Sequence, residues 1–245
     1  MAIAQQSNSP TRKRLHVIAG KGGVGKSMLA RALIWASAER RIKLKAFDGD
    51  GSNASLKRFH QDADVVDVDG DGLVAHWYEQ RVVPSLLNSA GSSVLLDLGA
   101  GAERLFRRWA AQNEAAALLQ DYDAEIVIWH VLEPSLDSVS PLLDTLSVLP
   151  EVRHIVALNL GLARGIHTYD PEAAFKPLLS EPEFLEAAHG KSILRLPPLL
   201  DAGLLDRHDL SFADALKPDS PLSIFERARV RKWLTTISAP FAQCL

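Results

Sequence analysis

Two residues with phosphate-binding chemistry, Lys26 and Ser27, close an octet that begins at Gly20 and reads GKGGVGKS. The octet fits the pattern G-x-x-x-x-G-K-[ST], which cradles phosphate groups where a strand precedes it and a helix follows. Its glycines let the backbone fold closely around an anion, and the amides and dipole of the following helix favour negative charge there. The sequence therefore predicts that Lys26 reaches the β- and γ-phosphates of a nucleotide and that Ser27 offers its hydroxyl to Mg²⁺.

The segments around the octet have the pattern that such a loop needs. An apolar run over residues 15–19 precedes it, and a helix rich in Ala and Leu is predicted over residues 28–38. A glycine-rich turn that happens to carry Lys-Ser is the competing interpretation, and these flanks argue against it. The residues predicted to bind the nucleotide here are Gly22, Gly23, Val24, Gly25, Lys26, Ser27 and Met28.

A second lysine, Lys21, follows the first glycine of the octet. With it the octet resembles the deviant Walker A motif of the ParA/MinD family of dimeric ATPases. In that family the early lysine reaches phosphates bound by the partner subunit, so the resemblance implies that Lys21 acts in trans and that ATP is held between two subunits. The alternative is a solvated loop charge.

Acidic residues follow a second predicted strand over residues 42–47, in the stretch Asp48-Gly49-Asp50-Gly51-Ser52-Asn53. The ends of parallel strands are where such sheets place their chemistry. The resembled family carries D-x-D-P-x-x-N here, which implies that Asp48 supports Mg²⁺ and that Asp50 positions the attacking water. Gly51 departs from the family pattern, which has proline at this place. An Asp-Gly turn without chemical function is the alternative.

A third acid, Asp97, ends the apolar run Ser93-Val94-Leu95-Leu96. A buried parallel strand that ends in a carboxylate is the Walker B arrangement, which places the acid beside the hydration shell of Mg²⁺. The metal site is thus predicted from Ser27, Asp48 and Asp97. The glycine-containing stretch over residues 98–101 would supply a switch that responds to the γ-phosphate.

Two residues are predicted at the base. Asn159 closes a strand predicted over residues 154–160, and its amide offers a donor and an acceptor to the edge of adenine. The resembled ATPases use an asparagine at this place, and a proline-containing loop packs beside the base in that family. We assign the latter role to Pro197, which follows a strand predicted over residues 192–196. His130, at the end of a strand predicted over residues 125–131, is expected to be structural, since no second histidine or acid is expected beside it.

Composition limits the classes that remain. The chain has 245 residues, of which 47% are hydrophobic and 23% charged, and its net charge is −3. DNA binding would therefore need a local basic patch and would depend on salt. The single Cys244 excludes an internal disulfide framework, and no apolar run is long enough for a membrane span. We expect a cytoplasmic protein with a flexible tail at residues 1–13 and one domain at 14–245, an α/β P-loop domain whose mostly parallel twisted sheet has helices on both faces.

Two predicted helices carry basic residues: residues 103–119, with Arg104, Arg107 and Arg108, and the C-terminal helix, with Arg227, Arg229, Arg231 and Lys232. Either is a solvated face or a surface for DNA or a protein partner. For the C-terminal helix, docking onto the core is favoured first, a DNA patch second and a membrane anchor last, because Pro240 is expected to break the helix.

The resemblance extends over most of the chain, and within the family the sequence is most similar to the TraL type of conjugative plasmids. It implies a homodimer that sandwiches ATP, hydrolyses it to ADP with Mg²⁺, and positions or mobilises DNA or a protein complex with the help of a protein activator or cargo. A chromosome or plasmid partition ATPase, an accessory ATPase of polysaccharide synthesis and an amide-forming synthase of the same superfamily remain alternatives. Lys21, Lys26 and Asp50 are the predicted catalytic residues.

Overall fold

A parallel sheet carries the fold, and it is seen in a computed structural model that describes residues 12–88, 92–99, 101–164 and 169–245. Across the described residues the sheet has seven strands in the order β3-β2-β4-β1-β5-β6-β7, and every neighbouring pair is parallel. The strands are β1 (Lys13–Ala19), β2 (Lys43–Asp48), β3 (Asp64–Val65), β4 (Ser92–Asp97), β5 (Ala124–Leu132), β6 (Arg153–Asn159) and β7 (Ser192–Leu196). The prediction of a mostly parallel sheet is confirmed, and no antiparallel pair occurs among these strands.

Helices connect the strands. They are α1 (Lys26–Glu39), α2 (Ser55–Phe59), α3 (Asp71–Trp77), α4 (Val83–Leu87), α5 (Ala102–Gln112), α6 (Ala115–Gln120), α7 (Ser140–Val148), α8 (Lys176–Leu179), α9 (Pro182–Ala188), α10 (Ala202–Arg207), α11 (Phe212–Ala215) and α12 (Ile224–Ala242). A π-helical turn, Tyr78–Val82, joins α3 to α4, and 3₁₀ turns occupy Leu136–Ser138, Leu160–Leu162 and Ala173–Phe175.

Both faces of the sheet are buried, as the apolar strands predict. Successive residues of β5 point to opposite faces: Val127 and Trp129 join one apolar cluster with α1 and α12, whereas Ile126 and Ile128 join another with α5 and α6. Burial on both faces explains why these strands read as continuous apolar runs rather than alternating ones. The predicted placement of helices on both faces is confirmed.

The strand order sets the place of the binding crevice. β1 lies between β4 and β5, so the chain leaves β1 toward one side of the sheet and later continues on the other. Open parallel sheets bind ligands at such a reversal, beyond the carboxyl ends of the strands. The octet at residues 20–27 follows β1 directly and therefore sits at this point.

The prediction of one continuous helix over residues 103–119 is wrong. α5 ends at Gln112, and Glu114 takes a left-handed conformation with φ 46° before α6 begins. The break turns the chain so that Ala115, Ala116 and Leu119 pack into the cluster beneath β5. Tertiary packing here overrides a helical pattern that is locally unbroken.

Pro240 does not break α12, contrary to the prediction, and lies inside it. A proline inside a helix removes one hydrogen bond and crowds the preceding turn. The helix ends at Ala242, so few further bonds depend on that turn, while Ile237 and Phe241 are buried on either side of the proline. Docking of α12 onto the core, the favoured alternative, is confirmed by the burial of Val230, Trp233 and Leu234.

At the amino-terminal side, β1 begins at Lys13, inside the range predicted as tail. Of the other residues in that predicted tail, Arg12 is described, and residues 1–11 lie outside the described residues. Among the helices that the structure describes, none is both long enough and apolar enough to cross a membrane.

Candidate functional site

The loop between β1 and α1 has the backbone of a phosphate cradle. Gly23 and Gly25 take left-handed conformations, with φ of 82° and 94°. A Cβ at Gly25 would stand 2.4 Å from the Nδ2 atom of Asn159. Gly25 is thus required both for its backbone angle and for the close approach of a neighbouring side chain. Val24 is fully buried and anchors the loop in the core.

The P-loop lysine already lies at the centre of this loop. The Nζ atom of Lys26 donates hydrogen bonds to the carbonyl oxygens of Gly20, at 2.8 Å, and Lys21, at 3.1 Å. Its side chain is buried, with 9% relative exposure. An ammonium held by two carbonyls is poised to pair with phosphate oxygens as soon as an anion enters the loop.

Glu103 supports the same loop, although its sequence context predicts no such role. Its Oε1 atom accepts a hydrogen bond from the backbone N–H of Gly20, and its side chain is buried at the start of α5. A Cβ at Gly20 would stand 2.5 Å from the carbonyl oxygen of Val131, so the loop is clamped from β5 as well. The only sequence signal for Glu103 is an acid in the first turn of a helix that follows a switch segment.

Asp97 is the acid with the strongest electrostatic perturbation in the site. It ends β4, is 3% exposed, and its Oδ1 atom is buried without a hydrogen-bond partner. Burial raises the pKa of Asp97 to about 7, and a hydrogen bond from Ser27 acts in the opposite direction. A desolvated carboxylate beside a serine hydroxyl fits a cation, since Mg²⁺ is usually held by one or two carboxylates together with substrate phosphates and water. Ser27 and Asp97 are therefore the residues that would hold the metal.

Asp48 has a structural role that the sequence did not suggest. Its Oδ2 atom accepts hydrogen bonds from the backbone N–H groups of Leu56, at 2.8 Å, and Lys57, at 3.1 Å, while Oδ1 accepts one from the N–H of Asp50, at 3.1 Å. These N–H groups belong to the start of α2 and the loop before it. The buried carboxylate thus caps α2 and holds the loop at residues 48–53, and its support of the metal stays a prediction.

Asp50 lies at the cleft with its own loop folded around it. Its Oδ1 atom accepts hydrogen bonds from the hydroxyl of Ser52, at 2.7 Å, and the N–H of Asn53, at 3.0 Å. A Cβ at Gly99 would stand 2.9 Å from the Cβ of Asp50, so the loop at residues 48–53 touches the predicted switch at Gly99. A shift in either segment must therefore move the other, and the water-positioning role of Asp50 stays a prediction.

Gly51 stands where the resembled family has proline, and the structure gives a reason. A Cβ at Gly51 would approach the carbonyl oxygen of Val66 to 2.6 Å. Val66 is held in place because its N–H donates to the carbonyl of Asp48 at 2.9 Å. Neither alanine nor proline fits without moving the segment after β3.

We expect Gly51→Ala to lower the free energy of unfolding by about 1–3 kcal/mol, the usual cost of forcing a methyl group into a packed site. Urea unfolding at neutral pH measures it. Gly72→Ala is the matched control, because a Cβ at Gly72 meets no atom within 4 Å and alanine favours the helix that contains it. Equal stability of Gly51→Ala and wild type would show that the Val66 carbonyl moves aside freely.

The predicted base-binding residues flank the cleft. The Nδ2 atom of Asn159 donates to the carbonyl of Val24 at 2.8 Å, and its Oδ1 accepts from the N–H of Gly161 at 3.1 Å. The amide therefore holds the phosphate loop, a role that the sequence did not suggest, and the contact with adenine stays a prediction for its second N–H. Pro197 lines the cleft, and its carbonyl accepts a hydrogen bond from Trp233 Nε1 at 2.7 Å.

One cleft of about 510 Å³ brings most of the predicted residues together. Those that line it are Gly22, Gly23, Gly25, Lys26, Ser27, Met28, Asp50, Asp97, Asn159 and Pro197. Val24 and Asp48 lie beneath the lining and support it. The volume is within the range of sites for small ligands and cofactors.

Lys21 points away from this cleft, toward two acids of its own chain. Its Nζ atom lies 3.6 Å from Oε1 of Glu133 and 3.7 Å from Oδ2 of Asp137, and its side chain is 46% exposed. Exposed pairs of this length contribute little to stability, so the lysine is free to exchange partners.

His130 has a neighbour that the sequence did not reveal, and the expectation that no second histidine stands beside it is wrong. Its Nε2 atom lies 3.0 Å from Nδ1 of His154, and the two rings stack. Burial lowers the pKa of both imidazoles, so the pair is neutral near pH 7. A neutral buried pair fits the predicted structural role.

Of the basic residues singled out in the sequence, several are already paired. Arg107 lies 3.3 Å from Asp144, and Arg108 lies 2.7 Å from Asp71. Arg229 forms a two-point ion pair with Asp201, and Arg227 donates to the carbonyls of Pro218 and Leu222. Arg231 and Lys232 are exposed on α12.

Comparisons with known proteins give the chain its relatives. No family profile matches it. Protein TraL of Escherichia coli is 30% identical to this chain in an alignment of 231 positions, which covers 88% of this chain and 91% of that protein. The MinD cell division protein of Aquifex aeolicus has the same fold, with a TM-score of 0.54 and 15% identity over 91% of this chain and 97% of that one. The MinC:MinD complex of the same organism matches equally, with a TM-score of 0.54 and 14% identity over 91% and 96% of the two chains.

The strand order around β1, the loop at residues 20–27 and the buried Asp97 agree with these likenesses, and the family predicted from the octet is confirmed. The chain belongs to the TraL family and has the P-loop fold of MinD.

Proposed function

We propose that this protein is a cytoplasmic, Mg²⁺-dependent ATPase whose two copies close on ATP and separate after its hydrolysis. The observation that carries the proposal is the second lysine of the loop. Lys26 already occupies the centre of the loop within the chain, whereas Lys21 stands at its exterior and faces only exposed or half-exposed carboxylates. A cation in that place suits a phosphate group held by another subunit.

The chemistry of the site is phosphoryl transfer to water. The N–H groups of the loop and the Lys26 ammonium bind the phosphates, and Asp50 orients the attacking water. Ser27 and Asp97 would hold Mg²⁺, which would supply positive charge against the phosphates. The residues supply position and charge rather than a covalent intermediate, so slow turnover and stimulation by a partner are expected.

The exchange of partners at Lys21 supplies the switch. Within one chain the lysine pairs with Glu133 and Asp137. Phosphate oxygens offer a stronger, charge-assisted contact than these screened pairs. Closing two subunits on ATP would transfer each lysine from its own carboxylates to the nucleotide of the partner, and loss of the γ-phosphate would return it.

The test is the mass of the protein in solution, measured by light scattering during size-exclusion chromatography with Mg²⁺ and no nucleotide, ADP, or a non-hydrolysable ATP analogue. We expect a dimer only with the analogue, and Lys21→Ala is expected to remain monomeric while it still binds the nucleotide, because Lys26 is intact. Lys176→Ala is the control, since Lys176 is an exposed lysine of α8 outside the described lining of the cleft.

Two results would contradict the proposal. A wild-type protein that binds the analogue and stays monomeric would exclude the switch, and a Lys21→Ala variant that dimerises like wild type would exclude the trans contact. ATP hydrolysis that requires a small carboxylate substrate would favour an amide-forming synthase instead.

The cargo of the switch is part of the same proposal. The structural neighbour MinD is also seen in complex with MinC, which supports a protein partner for this chain. The exposed Arg231 and Lys232 on α12 support DNA as the other cargo, with the net charge of −3 limiting it to a local patch. DNA retention that needs ATP and falls steeply with salt would favour DNA.

A further inference from the structure

The cleft extends past the phosphate loop along α1. Arg31 lies four residues after Ser27 on this helix, one turn or about 6 Å farther from the phosphate end. The lining there is formed by Arg31 and Met28 on one side and by Leu199, Ala202 and Asp206 on the other. None of the phosphate or metal chemistry described above uses Arg31 or Asp206.

Arg31 is held by stacking and by hydrogen bonds from both terminal nitrogens of its guanidinium. Its side chain is only 2% exposed, and its guanidinium lies 3.6 Å from the centre of the Phe59 ring and 5.3 Å from that of Phe212. Its NH2 atom donates to the carbonyl of Leu210 at 2.8 Å, and its NH1 atom donates to Oδ1 of Asp206 at 2.8 Å. A buried guanidinium that stacks and donates in this way holds whatever it binds in one orientation.

Asp206 is therefore oriented while it remains accessible. Arg31 takes one of its two oxygens, but the Asp206 side chain is 53% exposed and lines the cleft. A carboxylate has about four acceptor positions, so most of them remain available toward the cleft. The hydrogen bond from Arg31 occupies only the Oδ1 atom of Asp206.

The nucleoside part of a nucleotide bound in this cleft would reach this region, because the same cleft is lined by Asn159 and Pro197, which are predicted to contact the base. The phosphates are held at the start of α1, and Met28, Leu199 and Ala202 offer apolar contact one turn away. A nucleoside carries hydrogen-bond donors in its ribose hydroxyls and in the exocyclic amine of its base, and a carboxylate is an acceptor for either.

We propose that Asp206, oriented by Arg31, is a specificity residue that accepts a hydrogen bond from a donor of the nucleoside, either a ribose hydroxyl or the exocyclic amine. This inference rests on the proposed binding of ATP and adds a group that selects among nucleotides. Asp206 acts on the nucleoside only, so it is outside the hydrolysis machinery.

Isothermal titration calorimetry with Mg²⁺ tests it, using ATP, 2′-deoxy-ATP, 3′-deoxy-ATP and ITP, in which a carbonyl replaces the amine. Wild type is expected to bind one of the three analogues about 10–100-fold more weakly than ATP, the usual effect of losing a hydrogen bond to a charged group. A weaker deoxy analogue identifies a ribose hydroxyl, and a weaker ITP identifies the amine. These wild-type measurements need no variant.

Asp206→Asn keeps an oxygen for Arg31 but turns an N–H donor toward the nucleoside. This variant is expected to bind ATP more weakly than wild type by the same factor. Its affinity for the analogue that wild type binds weakly should equal that of wild type. Asp219→Asn is the matched control, because Asp219 is exposed and lies outside the described lining of the cleft; its affinities should equal those of wild type.

Wild-type protein that binds all four nucleotides equally would overturn the inference while leaving the ATPase proposal standing. An Asp206→Asn variant that is folded by circular dichroism and discriminates as wild type does would also overturn it. Wild-type protein that binds none of the four would overturn both proposals.

Discussion

Lys26→Ala is expected to lower the affinity for ATP by about 100- to 1,000-fold. The Lys26 ammonium is buried at the centre of the loop by hydrogen bonds to the carbonyls of Gly20 and Lys21. Each charge-assisted hydrogen bond to a phosphate contributes about 1.5–3 kcal/mol, and contacts to two phosphate groups together give a loss of this size. Equilibrium dialysis with labelled ATP and Mg²⁺ measures the affinity.

The control for Lys26→Ala is a variant that removes one positive charge outside the loop, and Lys176→Ala is used for this purpose as well. Thermal unfolding of both variants separates loss of binding from loss of folding, because Lys26→Ala also leaves two loop carbonyls without their donor. A folded Lys26→Ala variant that binds ATP within about threefold of wild type, a difference of roughly 0.6 kcal/mol, would contradict the assignment of the loop.

The sequence predicted those parts of the site that follow from local pattern. The octet needs only its own glycines and lysine, and Asp97 is conspicuous because an acid ends an apolar run. Both features depend on residues that are neighbours in the chain, and both lie in the cleft as expected. The strands were found for the same reason, since burial on both faces leaves a continuous apolar signal.

Long-range contacts gave no such signal. Glu103 reaches the N–H of Gly20 from a helix far along the sequence, and Asn159 holds the carbonyl of Val24 from another strand. The pairing of His130 with His154 follows from the register of β5 and β6, in which His130 lies opposite Val156. A register is set by tertiary packing, so a single sequence does not reveal that the two rings meet.

Asp48 shows that the sequence alone does not separate an aspartate that binds a metal from one that caps a helix. An aspartate after a strand has the same appearance whether it faces a metal or caps a helix. The structure shows three N–H groups around the Asp48 carboxylate, whereas Asp97 keeps a buried oxygen without a partner. A buried acceptor without a partner lowers the stability of the fold. A bound cation would pair with this oxygen, so Asp97 is the acid that we expect to bind one.

Because the buried Asp97 carboxylate destabilises the fold, we expect Asp97→Asn to raise the free energy of unfolding by an amount that depends on pH, in the absence of nucleotide and Mg²⁺. Burial raises the pKa of Asp97 from 3.8 to about 7. Between these values the unfolded chain has released the proton and the folded chain still holds it, so raising the pH favours unfolding until the folded group also ionises. Asparagine does not titrate, so the stability of the Asp97→Asn variant relative to wild type should rise with pH.

From pH 5 to pH 8 the difference in free energy of unfolding between Asp97→Asn and wild type is expected to grow by about 2–3 kcal/mol, since each pKa unit corresponds to about 1.4 kcal/mol. Urea unfolding across this range measures it. The buried histidines, whose lowered pKa values destabilise the fold in acid, affect both proteins alike and cancel in the difference. A difference that stays constant from pH 5 to pH 8 would mean that Asp97 ionises near its ordinary pKa, and the cavity beside Ser27 would then be too polar to depend on a metal ion for the charge of Asp97.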